Sequence, residues 1–177
     1  DSLETGHTYP LTREENIMAQ QKIENPAELL HYQIRSVLTM EQHSLEALEE
    51  LELAARDSKI KKLFSHHSDE TREQIANLEK VFALLEYEQT TAPSPATTGI
   101  KTQAAALLDK ADSKLHNQIA VMSALGNEHF EISAYTGLVL LSESLKVADV
   151  AKLLQDNLDQ EQHTSEELLS TLKELTQ

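Results

Sequence analysis

Apolar residues recur along this chain at steps of three and four, and they do so in four long runs. The first is Leu30, Ile34, Leu38, Glu41, Leu45 and Leu48. The second is Ile60, Leu63, His67, Glu70, Gln74, Leu78, Val81 and Leu85. The third holds two overlapping rows, Val121-Leu125-Glu128-Ile132-Tyr135-Val139 and Ala124-Glu128-Glu131-Tyr135-Leu138. The fourth is Val150, Leu154, Leu158, Glu161, Ser165, Leu168, Leu172 and Leu175. Steps of three and four keep side chains on one face of an α-helix. The pattern predicts helices over about residues 26–55, 59–88, 113–145 and 147–175. Pro26 suits a first helical turn, and Asp57-Ser58 separates the first two runs, with Ser58 able to cap the second. Gly126 interrupts the third helix at a cost of about 1 kcal/mol relative to Ala.

The segments between these runs set the topology. The joints near Ser58 and Lys146 are short, so each makes an antiparallel hairpin. Residues 89–99 are rich in Pro, Thr and Ser, and residues 101–110 can add a short helix to that connection. A helix of about 30 residues is about 45 Å long, and this segment has the length to run back along it. Two hairpins joined by one long crossover make an all-α antiparallel four-helix bundle of the ferritin-like kind. Residues 1–25 are polar and carry no long stripe. They read as an arm, with a capping-box pattern at Thr12-Arg13-Glu14-Glu15 and a short helix expected over about 12–23. Residues 26–177 form the bundle.

Each stripe is broken near its middle by a carboxylate: Glu41, Glu70, Glu128 with Glu131, and Glu161. Burying an unpaired ion costs several kcal/mol, so such a group neutralises or finds a partner. Carboxylates converging in one core also repel one another and raise each other's pKa. No Lys or Arg lies in the stripes. Two divalent ions would bring four positive charges, and carboxylate with imidazole suits Fe, Mn or Zn. Glu131 lies fifteen residues before Lys146 and Glu161 fifteen after, so an antiparallel turn there levels them. Counted from Ser58, Glu41 lies seventeen residues before and Glu70 twelve after. That offset of five residues is about 7.5 Å along the axis, and it leaves Gln74 or Glu73 nearer the level of Glu41. His67 sits one turn from Glu70 and is a candidate ligand. Tyr135 is a core position able to bond a carboxylate, whereas His43, His129 and His163 fall on other faces.

Composition narrows the classes of function. The 177 residues carry 30 acidic and 15 basic side chains, a formal charge of -15. That balance opposes binding to nucleic acid or to anionic membranes and favours cations. Cys is absent, which removes disulfides, thiolate zinc sites and a cysteine nucleophile. The sequence shows no signal-peptide pattern, and the expected location is cytoplasmic.

Leu29-Leu-His-Tyr-Gln-Ile-Arg35, Met40-Glu-Gln42, His67-Ser-Asp-Glu-Thr71 and Leu78-Glu-Lys-Val-Phe82 resemble the bacterial YciE/YciF-type ferritin-like proteins. So do Glu128-His-Phe-Glu-Ile-Ser-Ala-Tyr135, the most specific stretch, and Leu158-Asp-Gln-Glu161. The similarity runs over about residues 27–175. It implies a rubrerythrin-related bundle, a homodimer, an association with bacterial stress and a dinuclear metal site. Carried over by position, that site is Glu41, Glu70, Glu128, Glu131 and Glu161, with His67 a further candidate. Ferritin-like sites commonly use Glu-x-x-His on two helices. Here Glu70 is followed at that spacing by Glu73, and Glu161 by Thr164. The expected site is therefore carboxylate-rich and short of imidazole. Two functional expectations follow. One is a dinuclear protein, iron first with manganese or zinc as alternatives, acting on dioxygen, peroxide or ferrous ion. The other is a non-catalytic dimeric stress or interaction protein whose core carboxylates are structural.

Overall fold

The computed structural model describes residues 22–177. Five α-helices follow one another: α1 Pro26–Ala54, α2 Ser58–Leu84, α3 Pro95–Lys110, α4 His116–Ser144 and α5 Ala148–Leu175. A 3-10 turn, Ser113–Leu115, leads into α4. The helix expected over about residues 12–23 lies almost wholly outside the described residues, and its last two positions, 22 and 23, are not helical.

Local chemistry explains where the helices begin and end. Pro26 opens α1, and the Asn25 side chain accepts from the Glu28 amide at 3.0 Å. The cap of α2 is Asp57, accepting from the Lys59 amide at 2.7 Å, and Ser58 is already helical. A carboxylate satisfies an orphan amide and also complements the positive end of the helix dipole. α2 stops at Leu84, four residues earlier than the stripe suggests. Glu86 there adopts a left-handed φ of 54°, and the Tyr87 amide bonds back to the Phe82 carbonyl at 3.0 Å. Lys146 closes α4 the same way, with φ of 60° and the Val147 amide on the Ser142 carbonyl. Both are left-handed helix stops made without glycine.

The four long helices form the expected bundle. α1 packs on α2 and α4, and α5 packs on α4 and α2. The crossover is tied to α1. Arg35 Nη2 donates to the Thr91 carbonyl at 2.7 Å, Thr39 Oγ1 to the Ala92 carbonyl at 2.7 Å, and Ser36 Oγ to the Pro93 carbonyl at 3.0 Å. These bonds lay α3 against α1 and α4.

The core comes in two apolar blocks. One gathers Leu30, Ile34, Leu38, Phe82, Val139 and Leu154. The other gathers Leu48, Ile60, Phe64, Val121, Ala124 and Leu168. Buried residues between the two blocks are mostly polar: Glu41 and Ser44 on α1; His67, Ser68, Thr71 and Gln74 on α2; Glu128 and Glu131 on α4; Asn157, Glu161, Thr164 and Ser165 on α5. The fold thus seals a polar layer between two apolar plugs.

Gly126 lies on the outer side of α4, where an added Cβ would meet nothing within 4 Å. Gly126→Ala should stabilise the protein by about 1 kcal/mol, read as a higher urea midpoint with an unchanged slope. A lower midpoint would show that this position needs its glycine.

Candidate metal centre

Three carboxylates meet in the polar layer. Glu128, Glu131 and Glu161 each place one oxygen so that all three lie within 4.8 Å of one another. Glu128 and Glu131, three residues apart on α4, point at α5, and the turn centred on Lys146 brings Glu161 to their level. All three are buried, and no Lys or Arg is buried among the described residues. Burial pushes each carboxyl well above its usual range. Mutual repulsion adds to this, from Glu131 on Glu128, from Glu161 on Glu131 and from Glu128 on Glu161. Contact with Glu161 partly offsets this at Glu128, and Ser44 and Asn127 partly offset it at Glu131; Asn127 Nδ2 donates to Ser44 Oγ at 3.0 Å.

Glu41 closes the layer from α1. It is fully buried, and burial raises its pKa to about 8, with the Tyr135 hydroxyl, which donates to Oε1, pulling the other way. Its charge is felt at Glu128, Glu131 and Glu161. The sequence reading of Tyr135 as a core residue bonded to a carboxylate agrees with this contact.

Glu70 and His67 are placed differently. The Glu70 side chain is 18% exposed, accepts from Thr164 Oγ1 at 3.3 Å and lies 3.6 Å from His66 Nε2. It still acts electrostatically on Glu128. His67 is buried, with Nε2 3.3 Å from Glu167 on α5. Burial depresses its pKa, partly offset by Glu167 and Glu70. Neither residue joins the three-carboxylate group. For Glu70 the reason is rotation about the helix, and the expected difference in depth has gone; His67 is on the buried face but has its Nε2 turned to Glu167. The first turn is Ala55-Arg56-Asp57, centred two residues before Ser58. Counted from Arg56, Glu41 lies fifteen residues before and Glu70 fourteen after, so the two are nearly level. The buried face of α2, however, runs through Phe64, His67, Ser68, Thr71 and Gln74, with Glu70 at its edge.

One buried residue had no place in the stripe reading. Asn157 donates to the Tyr135 hydroxyl at 3.0 Å and to the Gln74 carbonyl at 3.2 Å, and accepts from Asn77 Nδ2 at 2.8 Å. It positions the phenol that bonds Glu41. Its signal was available as a polar residue four before Glu161 and three after Leu154.

Oxygens Oε2 of Glu41, Oε2 of Glu128 and Oε1 of Glu131 are buried without a hydrogen-bond partner. Orphaned oxygens facing one another suit a hard or borderline divalent cation.

The sequence pattern of a family described as a domain of unknown function, DUF892, matches residues 25–177. The chain belongs to the DUF892 family. Solved structures share the fold. YcfI from Rhodopseudomonas palustris is 27% identical with a TM-score of 0.81, over 84% of this chain and 96% of that one. The E. coli stress protein YciF is 22% identical with a TM-score of 0.83, over 87% and 98%. A Xanthomonas campestris protein is 21% identical with a TM-score of 0.71, over 86% and 94%. No curated protein matches the sequence. The YciE/YciF-type resemblance and the ferritin-like fold are therefore established for this DUF892 chain. No helix among its described residues is long and apolar enough to cross a membrane.

Proposed function

We propose that this DUF892 protein holds two divalent metal ions, iron first and manganese or zinc otherwise, and serves stress chemistry on dioxygen, peroxide or ferrous ion. The observation that carries the reading is the convergence of Glu128, Glu131 and Glu161, with Glu41 beside them and no buried Lys or Arg among the described residues. Four carboxylates balance two divalent ions in charge. Glu128, Glu131 and Glu161 are the core ligands, and Glu41 and Glu70 complete the set from the other hairpin. His67 keeps Nε2 on Glu167 and has Nδ1 buried without a partner, so a ligand role would fall to Nδ1. When bound, an iron or manganese pair would supply electrons to an oxidant, whereas zinc would hold the layer without redox chemistry. The chain's own contribution is an apolar-plugged pocket, a Tyr135–Asn157 pair that orients Glu41, and a hydrogen-bonded Ser44–Asn127 pair beside Glu131.

Metal content measures this. Glu128→Ala and Glu161→Ala should each reduce bound iron or manganese from stoichiometric to background, with helical content unchanged. Equal metal in wild type and both variants would overturn the site.

One observation favours a second reading, a structural role for the same carboxyls. Each raised pKa permits a neutral acid, and Tyr135, Ser44 and Asn127 satisfy part of the layer without metal. Protein purified metal-free, with a thermal melt indifferent to EDTA, would support it.

A homodimer goes with either reading. From Met122 to Leu140 the outward positions of α4 are Met122, Gly126, His129, Ser133, Thr136, Gly137 and Leu140, and none carries a carboxylate or a Lys/Arg charge; Glu143 follows one turn later. Met122 and Leu140 are more than half exposed. On a chain of net charge -15, this strip lets two copies approach without stacking acids. A cytoplasmic location remains our expectation.

A further inference from the structure

A cavity of about 20 Å³ lies between α1, α3 and α4. Its deep wall is Ser44, Asn127 and Glu128, so it abuts the carboxylate layer directly. Its sides are Ala47, Leu48, Ile100, Ala104 and Ala124. His43, Thr97 and Lys101 border it where α3 meets α1. A single water needs about 10–15 Å³ in this measure, so the space takes one molecule of that size class. The Glu128 Oε2 atom is buried and lacks a partner, so a donor such as peroxide finds an acceptor here until metal takes that oxygen, whereas dioxygen is held by the apolar walls alone.

The lining decides what kind of molecule fits. Apolar walls strip hydration from an ion at a cost of several kcal/mol. An anion would also meet the repulsion of the buried carboxylates. A small neutral molecule meets neither barrier. The outer wall is held in place by polar ties. His43 Nδ1 lies 2.9 Å from Thr97 Oγ1, and Lys101 Nζ bridges Glu46 at 2.8 Å and Glu50 at 3.1 Å. α3 therefore stands as a fixed side of the cavity.

We infer that this cavity is the receiving site for one small uncharged oxidant, dioxygen or hydrogen peroxide, delivered to the Glu128 side of the layer. The inference rests on the metal reading above. It also assigns a job to α3, which four-helix packing alone does not need.

Ala104→Leu places three more carbons in the cavity from α3, and Ala47→Leu does the same from α1. Crystals of the metal-free protein pressurised with krypton should show the gas in the wild-type cavity and none in either variant. Ferrous-loaded variants should bind as much iron as wild type, melt alike and consume their oxidant about tenfold more slowly, equivalent to about 1.4 kcal/mol of barrier. Slowing with dioxygen alone identifies dioxygen as the occupant, and slowing with peroxide alone identifies peroxide. No krypton in wild type, or unchanged oxidation in both variants, would overturn the inference. Failure of the metal reading shows separately, as wild-type protein that binds no iron.

Discussion

Stripped of metal, the protein should lose stability as the pH rises from the ordinary glutamate value of 4.5 to about 8, and saturating Mn²⁺ should reverse that slope. The direction follows from proton linkage. Glu41 has a folded pKa raised above its unfolded value, so the folded chain keeps a proton that the unfolded chain has released. Its contribution is complete below the unfolded value and disappears as pH climbs through the folded one. A displacement of this size corresponds to roughly 3–5 kcal/mol for Glu41 alone. Glu128, Glu131 and Glu161 shift the same way and steepen the fall. Bound metal replaces those protons, so its stabilisation grows as pH rises. At a thousand times its dissociation constant, a metal ion adds about 4 kcal/mol. Urea midpoints at pH 5, 6, 7 and 8, with EDTA and with Mn²⁺, measure both slopes. A metal-free midpoint that stays level across the window would contradict the burial of these carboxyls.

Tyr135→Phe should lower stability by about 2–3 kcal/mol near neutrality, and by more at pH 8 than at pH 5. The phenol donates to Glu41 and accepts from Asn157, with all three side chains buried. Its loss leaves Glu41 Oε1 with no donor beside an Oε2 that already has none. Because the hydrogen bond favours the ionised carboxylate, removing it raises the Glu41 pKa further. Protonated Glu41 feels little of this, so the gap between wild type and variant opens with pH. Asn157→Leu should be milder, and the double variant should cost less than the sum of the two. When both partners of a buried hydrogen bond are replaced by apolar groups, neither is left unsatisfied. Strict additivity in that cycle would mean the pair does not act as a unit.

The bundle and half of the centre were legible in the sequence for one physical reason. A carboxylate inside a helical apolar stripe is rare enough to stand out, and Glu41, Glu128, Glu131 and Glu161 all do so. Glu70 was harder because an apolar stripe is about 100° wide. Spacing alone does not separate a stripe's centre from its edge, and α2 turns Phe64 and Thr71 inward where Leu63 and Glu70 also fitted. The depth error at the first turn had a simpler source. Asp57 and Ser58 are both competent caps, and taking Ser58 moved the turn centre by two residues. The early end of α2 was hidden because the left-handed residue is Glu86, not glycine. Asn157 escaped because Leu158 beside it continues the same stripe.

The distribution of the carboxylates over the two hairpins bears on folding kinetics. Glu128, Glu131 and Glu161 all belong to the α4–α5 hairpin, whose helices are joined by three residues. That hairpin brings the three together through local contacts, which form early. Only Glu41 and the apolar plugs of α1 and α2 wait for docking of the other half, and docking is the step that seals the layer from water. As protons leave, docking, which takes these carboxyls out of water, should slow more steeply than formation of the α4–α5 hairpin, where their repulsion is screened by solvent. A metal ion gathered by α4 and α5 would arrive before the walls close, acting as a template for assembly.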